Sequence, residues 1–377
     1  MNKPEHLAEN NDDKSGVNGV MEKIKEKRAD YDHKFEGNER GIIIHEMIAH
    51  WPKEMAEKVL KFERRLIEIG AKDEDIQEMV GDRVDEVELS FFDKRYETPN
   101  REYLQREMFR TVDKIFDGET DYNKTRNVAL INFDLNGLKS VNDLSGHQNG
   151  DKYLQAVVEV FRSGKISSML RQGGIEPFFA TYGGDEFAVL LNGNMDLTSE
   201  EAITGFDKPE GIQLVDWITA QYQEEIFNSD CSDLVDFSDP SVQKKFKGIK
   251  IPDNFKYRAS VSGGCVSLAD ILLGMNKEER ERILSLDYDK LIKNLVGGLF
   301  DESDKYAMEN KIEFKLSLEK NHDENKRFLA ILYKRTDEAV RLSEENRNLN
   351  AQLAEQEKTI EQQKARIAEL ELQLAQK

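Results

Sequence analysis

Two short apolar runs, residues 178–182 (FFATY) and 187–191 (FAVLL), flank Gly183, Gly184, Asp185 and Glu186. Aromatic and β-branched residues on both sides of a Gly-Gly step read as a β-hairpin, and no other feature constrains the fold as much. The pattern demands a sheet and sets two carboxylates at the turn. A second strand-like run, residues 127–135 (NVALINFDL), carries Asp134 near its end. Between these runs, residues 151–166 repeat apolar side chains at helical steps through Leu154, Val157, Val158 and Phe161. Residues 212–227 read as another amphipathic helix, and residues 257–268 (YRASVSGGCVSL) as another strand. Strands alternating with helices predict an α+β domain. Residues 192–211 and 228–256, rich in Asp, Ser, Gly and Pro, read as insertions or long loops.

The ends of the chain are helical in pattern. Residues 1–20 are polar and aperiodic, and are expected to be disordered. Residues 21–92 read as a helical regulatory region. Ile48, Trp51, Met55, Val59, Phe62 and Leu66 line one face, Pro52 falls in the first turn, and Gly70 stops the helix. Residues 72–89 predict a further helix with Ile76, Val80, Val84 and Val87 inward. The domain proper is expected over 93–318, followed by helix and coiled coil over 319–377. There Asn346, Leu353, Ile360, Ile367 and Leu374 fall seven apart, with Leu342, Leu349, Gln356, Gln363 and Leu370 at the complementary position. That is the seam of a coiled coil, and it predicts a homodimer.

Charge narrows the partners. Asp and Glu total 74 against 54 Lys and Arg, a net charge of −20. A field of that sign repels phosphate backbones, so nucleic acid is not an expected partner. A metal ion and a few lysines can still reverse the potential locally for a small phosphorylated ligand. Two cysteines form neither a disulfide framework nor a metal-ligand set, which predicts a reducing cytoplasm. No apolar run is long enough to span a bilayer, and the first residues do not resemble a signal peptide, so no membrane is expected. His45 and His50 are five apart, roughly 140° round a helix, and so do not share the face a zinc-protease pair requires.

Three clusters could carry chemistry: residues 133–151 (FDLNGLKSVND followed by LSGHQNGD), residues 182–187 (YGGDEF) and residues 304–315 (DKYAMENKIEFK). Carboxylates on adjacent strand ends commonly hold hard divalent cations beside a triphosphate. Lys311 and Lys315, four apart on a helix, could meet phosphate oxygens. Asn142 and Asp151 could read a base edge. Taken singly, each also has an ordinary structural role, as a hairpin turn, a solvated lysine face or a helix cap.

Together and in this order the clusters resemble the GGDEF family of diguanylate cyclases. YGGDEF matches that family's signature hairpin, and residues 133–151 are similar to its stretch of metal ligand, guanine contact, Gly-His and second guanine contact. Asp93, Pro99, Asn100 and Arg101 resemble the opening motif, and residues 303–311 (SDKYAMENK) the last helix. The resemblance implies a palm-like, mostly antiparallel sheet wrapped by helices, and condensation of two GTP into cyclic di-GMP across a two-fold dimer. It implies that Asp134, the Leu135 carbonyl and Asp185 hold Mg²⁺ or Mn²⁺, and that Glu186 assists at the metals or the attacking hydroxyl. Asn142 and Asp151 would bind guanine, Lys311 and Lys315 the phosphates, and Gly183 and Gly184 would let backbone approach the triphosphate. The chain departs from the pattern at Thr181, often Arg in the family, at Asn136, and at Met308 and Phe314. Gly174 and Pro177 stand where an inhibitory Arg and Asp would be. The alternative is a catalytically degenerate domain that binds GTP or a cyclic dinucleotide and signals through its helices.

Overall fold

The structure is a computed structural model, and it describes residues 11–33, 53–72, 75–76, 79–80, 92–93, 95–117, 121–203, 205–246, 248–253 and 255–333. The heptad segment, His45, His50, Ile48, Trp51, Pro52, Val84 and Val87 lie outside these residues.

Four strands form the central sheet in the order β4-β5-β3-β6, every neighbouring pair antiparallel. They are β3 (Val128–Leu135), β4 (Ile175–Thr181), β5 (Glu186–Gly193) and β6 (Val261–Ser267). A two-residue pair, β1 (Phe92–Asp93) and β2 (Thr98–Pro99), lies beside β4. Strand β3 is central and buried on both faces, which explains its unbroken apolar run. On one face Ile131, Phe133 and Leu135 meet α6 (His147–Ser163) and α8 (Leu214–Asn228). On the other, Val128 and Leu130 meet α3 (Arg101–Ile115), α10 (Leu268–Gly274) and the long α12 (Tyr288–Glu319).

Residues 261–267 (VSGGCVS) carry few bulky side chains, and the structure supplies the reason. A Cβ on Gly264 would stand 2.1 Å from the Ala307 amide nitrogen and 2.3 Å from the Ser303 carbonyl oxygen. The backbone of α12 therefore rests directly on β6, and Asn310 Nδ2 donates to the Gly263 carbonyl at 2.7 Å. This contact fixes where Lys311 and Lys315 emerge. Between β3 and α6 lies the short α5 (Leu138–Ser145), and between α6 and β4 lies α7 (Lys165–Gln172).

Three expectations need correction. A helix, α1 (Asn11–His33), begins inside the stretch expected to be disordered. Val17, Val20, Met21 and Ile24 are buried in the core shared with α10 and α12, so a sparse four-position apolar stripe suffices to dock it. The segment 228–256 is not an open loop: a 3₁₀ turn (Ser232–Leu234) and α9 (Pro240–Lys245) place Phe237 and Phe246 in the core. Finally, the domain does not end at 318. Residues 324–333 form a helix that returns to the core through Phe328, Leu329 and Tyr333. Phe328 packs edge-on against Phe255 at 4.8 Å between ring centroids.

The helix α2 (Lys53–Glu68) ends before Gly70, which adopts the left-handed φ of +74°. Val59 and Leu66 pack with Ile76 and Val80 in a small separate cluster that Tyr103 joins. Of the described residues, no helix is long and apolar enough to cross a membrane.

Candidate nucleotide and metal site

The register of the sheet assembles the acidic residues. Asp134 on β3 is directly opposite Glu186 at the start of β5, and the Leu135 amide donates to the Asp185 carbonyl at 2.9 Å. Asp134, Asp185 and Glu186 thus share one end of the sheet, as the hairpin reading requires. Lys311 Nζ donates to Asp134 Oδ1, both side chains being mostly buried. Burial lifts the Asp134 carboxyl above the usual range even with Lys311 beside it, and the charge of Asp185 adds to the lift. Glu186 is raised as well, first by burial and then by Asp185, Asp134 and Asp304. Lys315 is close enough for its charge to favour ionised Asp134.

Local contacts hold the turn in place. Tyr182 stacks on Phe300 with centroids 5.1 Å apart, and the Arg101 guanidinium lies over the Tyr182 ring at 4.5 Å. Thr181 is buried and donates from Oγ1 to the Pro99 carbonyl at 3.3 Å. The position often occupied by Arg in the family is here a buried tie to β2, so an arginine would have to displace that packing. Asn100 caps α3, accepting from the Tyr103 amide at 3.1 Å. Gly183 and Gly184 are exposed; a Cβ on Gly183 would meet Glu186 Oε2 at 2.4 Å, whereas Gly184 faces open space.

Asn142 and Asp151 lie on neighbouring helices. A Cβ on Gly150 would stand 1.9 Å from Asn142 Oδ1, so the Asn142 amide on α5 lies against the residue preceding Asp151 on α6. Asp151 is exposed and close enough to Arg95 and Tyr96 for its charge to act on both. Arg95 is already paired with Asp93 at 2.9 Å. His147 is exposed at the first turn of α6 and has no part in the acidic cluster. Sequence reasoning missed Asp304, which reaches Glu186 electrostatically from α12; its place in residues 304–315 was the available signal.

Among the described residues, no three His, Cys, Asp or Glu side chains are gathered closely enough to hold a metal ion. The donors at the sheet end are nevertheless all oxygen, the chemistry Mg²⁺ prefers, and their mutual repulsion is what a divalent ion relieves. Glu186 offers a test. A carboxyl raised in the native state favours protonation there, so its penalty on stability grows as pH rises through the ordinary carboxylate range to the raised value. Glu186→Gln should therefore melt higher than the parent at neutral pH in EDTA, by on the order of 1–2 °C for a domain this size, and the two should melt together near pH 4. Thermal melts at the two pH values check this, and a lower melting point for the variant at neutral pH would count against the repulsion.

A four-stranded antiparallel sheet with carboxylates on adjoining strand ends and a lysine-bearing helix beside them defines the centre of this α+β domain. Residues 90–206 match the family described as diguanylate cyclase, GGDEF domain, and the chain contains a GGDEF domain. It is 28% identical over 131 residues to the signaling protein YkoW of Bacillus subtilis (strain 168), covering 33% of this chain and 15% of that one. An uncharacterized protein in the hutH 5′ region of Streptomyces griseus is 42% identical over 66 residues, 18% of this chain and 25% of that protein. The chain thus spans a quarter or less of the length of the curated relatives it matches. Among solved structures, the diguanylate cyclase SiaD from Pseudomonas aeruginosa, in complex with its activator SiaC, is similar at 15% identity. That alignment has a TM-score of 0.35 and covers 76% of this chain and 81% of SiaD. The coiled coil and GGDEF domain of DgcB from Caulobacter crescentus aligns at 16% identity and a TM-score of 0.33, over 63% and 92% of the two chains.

Proposed function

We propose that the chain is a diguanylate cyclase that condenses two GTP into cyclic di-GMP. The observation that carries this reading is the convergence of Asp134, Asp185 and Glu186 at one sheet end with Lys311 beside them. Asp134, Asp185 and the Leu135 carbonyl would hold Mg²⁺ or Mn²⁺, with Glu186 assisting. When bound, the ions supply charge neutralisation at the α-phosphate and a more acidic 3′-hydroxyl. Lys311 is the cation placed to pass from Asp134 to a phosphate oxygen, with Lys315 one turn further on the same face. Asn142 and Asp151 orient the guanine. Each domain holds half of the reaction, so two must face each other about a two-fold axis.

Incubating the purified chain with GTP and Mg²⁺ and reading product by mass spectrometry tests the proposal. The Asp134–Lys311 pair also suits a second reading, in which the domain binds GTP or a cyclic dinucleotide without turnover and signals through its helices. Saturable binding of GTP with no cyclic di-GMP formed would favour that reading.

Base choice follows from Asp151. Its carboxylate accepts from both guanine N1–H and the exocyclic amine, and adenine presents no such pair of donors. GTP should be preferred over ATP by about 100-fold, because adenine leaves the acid without its two donors. A competition assay with both nucleotides checks it; comparable incorporation of the two would remove Asp151 from the base site.

A further inference from the structure

The loop that joins β3 to α5 is held by groups from distant parts of the chain. Asn136 is fully buried; its amide donates to the Ser260 carbonyl at 2.9 Å and its Nδ2 to Ser262 Oγ at 3.1 Å. The Asn136 carbonyl accepts from Tyr153 OH at 2.9 Å, and the Gly137 carbonyl from Tyr257 OH at 3.1 Å. Gly137 has φ +80°, and a Cβ there would stand 2.4 Å from both Tyr257 OH and the Tyr333 ring. Tyr333 closes the set from the returning helix. Its hydroxyl is 2.7 Å from Ser260 Oγ, and the neighbouring Leu332 carbonyl accepts from Ser140 Oγ of α5 at 3.1 Å. Burial pushes the phenols of Tyr153, Tyr257 and Tyr333 upward, so they stay neutral donors. The Tyr153 and Tyr257 hydroxyls fix the loop's backbone path through its carbonyls, and the Tyr333 ring closes on Gly137 from the returning helix.

We propose that Tyr333 is a positioning residue for the nucleotide site. By closing the loop at Asn136 and Gly137 it holds α5, and with it Asn142, where the base must dock. The helix 324–333 is thereby part of the catalytic unit and not only a spacer toward the heptad segment. This rests on the reading of Asn142 as a nucleotide contact.

The test compares Tyr333→Ala, Tyr333→Phe and Phe328→Leu in the full chain. Phe328→Leu loosens the same helix at a point whose ring packs on Phe237, Phe246 and Phe255. Tyr333→Ala should raise the KM for GTP by about tenfold with kcat within about threefold, the pattern of lost uniform binding. Tyr333→Phe, which keeps the ring against Gly137, should recover most of the loss, and Phe328→Leu should leave KM unchanged while lowering the melting temperature. Titration calorimetry with a non-hydrolysable GTP analogue and Mg²⁺ reads the same change as Kd, so the result stands even if the wild-type chain makes no product. Amide hydrogen exchange across residues 136–144 reads the clamp without nucleotide, and should quicken in Tyr333→Ala alone. A folded Tyr333→Ala with wild-type KM, Kd and exchange would overturn the assignment, as would Phe328→Leu weakening GTP equally.

Discussion

Asp134→Asn and Asp185→Asn should each lower GTP turnover by more than about 1,000-fold while the domain stays folded. Both changes keep side-chain size and remove a charge that a divalent ion needs at an α-phosphate, a loss worth about 4 kcal/mol of barrier at that factor. The fold should tolerate them for different reasons. Asp134 is mostly buried and raised by that burial, so a neutral isostere relieves desolvation even as it leaves Lys311 without its carboxylate. Asp185 sits at the turn, where its backbone carbonyl, and not its side chain, accepts from Leu135. Circular dichroism melts establish folding, and single-turnover mass spectrometry measures product. A folded variant that turned over GTP near the parent rate would show that the metal assignment is wrong.

Removing residues 336–377 should reduce specific activity at nanomolar enzyme by about 100-fold and restore much of it at high concentration. On the proposed reading two half-sites must meet, and a helix pair would replace a bimolecular encounter by an effective concentration of about a millimolar for short tethers. The heptad spacing from Leu342 to Leu374 is the expected seam, and Ile360 and Ile367 are the residues expected to favour two strands. Replacing both isoleucines by Lys should reproduce the effect without shortening the chain. Dilution series read by sedimentation and by activity check it together. Equal activity per molecule at every dilution, in a truncated and monomeric enzyme, would assign the tail to another partner. The cut at 336 leaves Tyr333 in place, so this experiment separates assembly from the loop clamp.

The sheet and its acidic end were legible because their signals are local. An apolar run with Asp134 near its close, and a Gly-Gly turn between two others, mark three strands, and the fold adds the register that pairs Asp134 with Glu186. Asn142 and Asp151 belong to one short motif, and the structure sets Asn142 against Gly150, the residue before Asp151. What the sequence concealed depends on long-range packing. Gly137 looks like any loop glycine until Tyr333 and Tyr257 are found against it. The returning helix at 324–333 shares the charged, glycine-poor character of the tail that follows, so composition placed the domain boundary too early. The aromatic residues of 228–256 are spaced irregularly, without a helical or strand period, and only the fold shows that they converge on Phe328.

The Asp134–Lys311 pair has a thermodynamic consequence for ligand order. In the resting chain Asp134 and Lys311, which on the proposed reading serve a cation and a phosphate, satisfy each other. A divalent ion arriving alone must break that pair and strand Lys311, and a nucleotide arriving without the ion must strand Asp134. When both arrive, each partner gains a replacement, and the pair dissolves at little net cost. The two affinities are therefore linked, and by reciprocity each ligand tightens the other by the same factor. On that reading the domain would respond more steeply to the metal–nucleotide complex than to either component on its own.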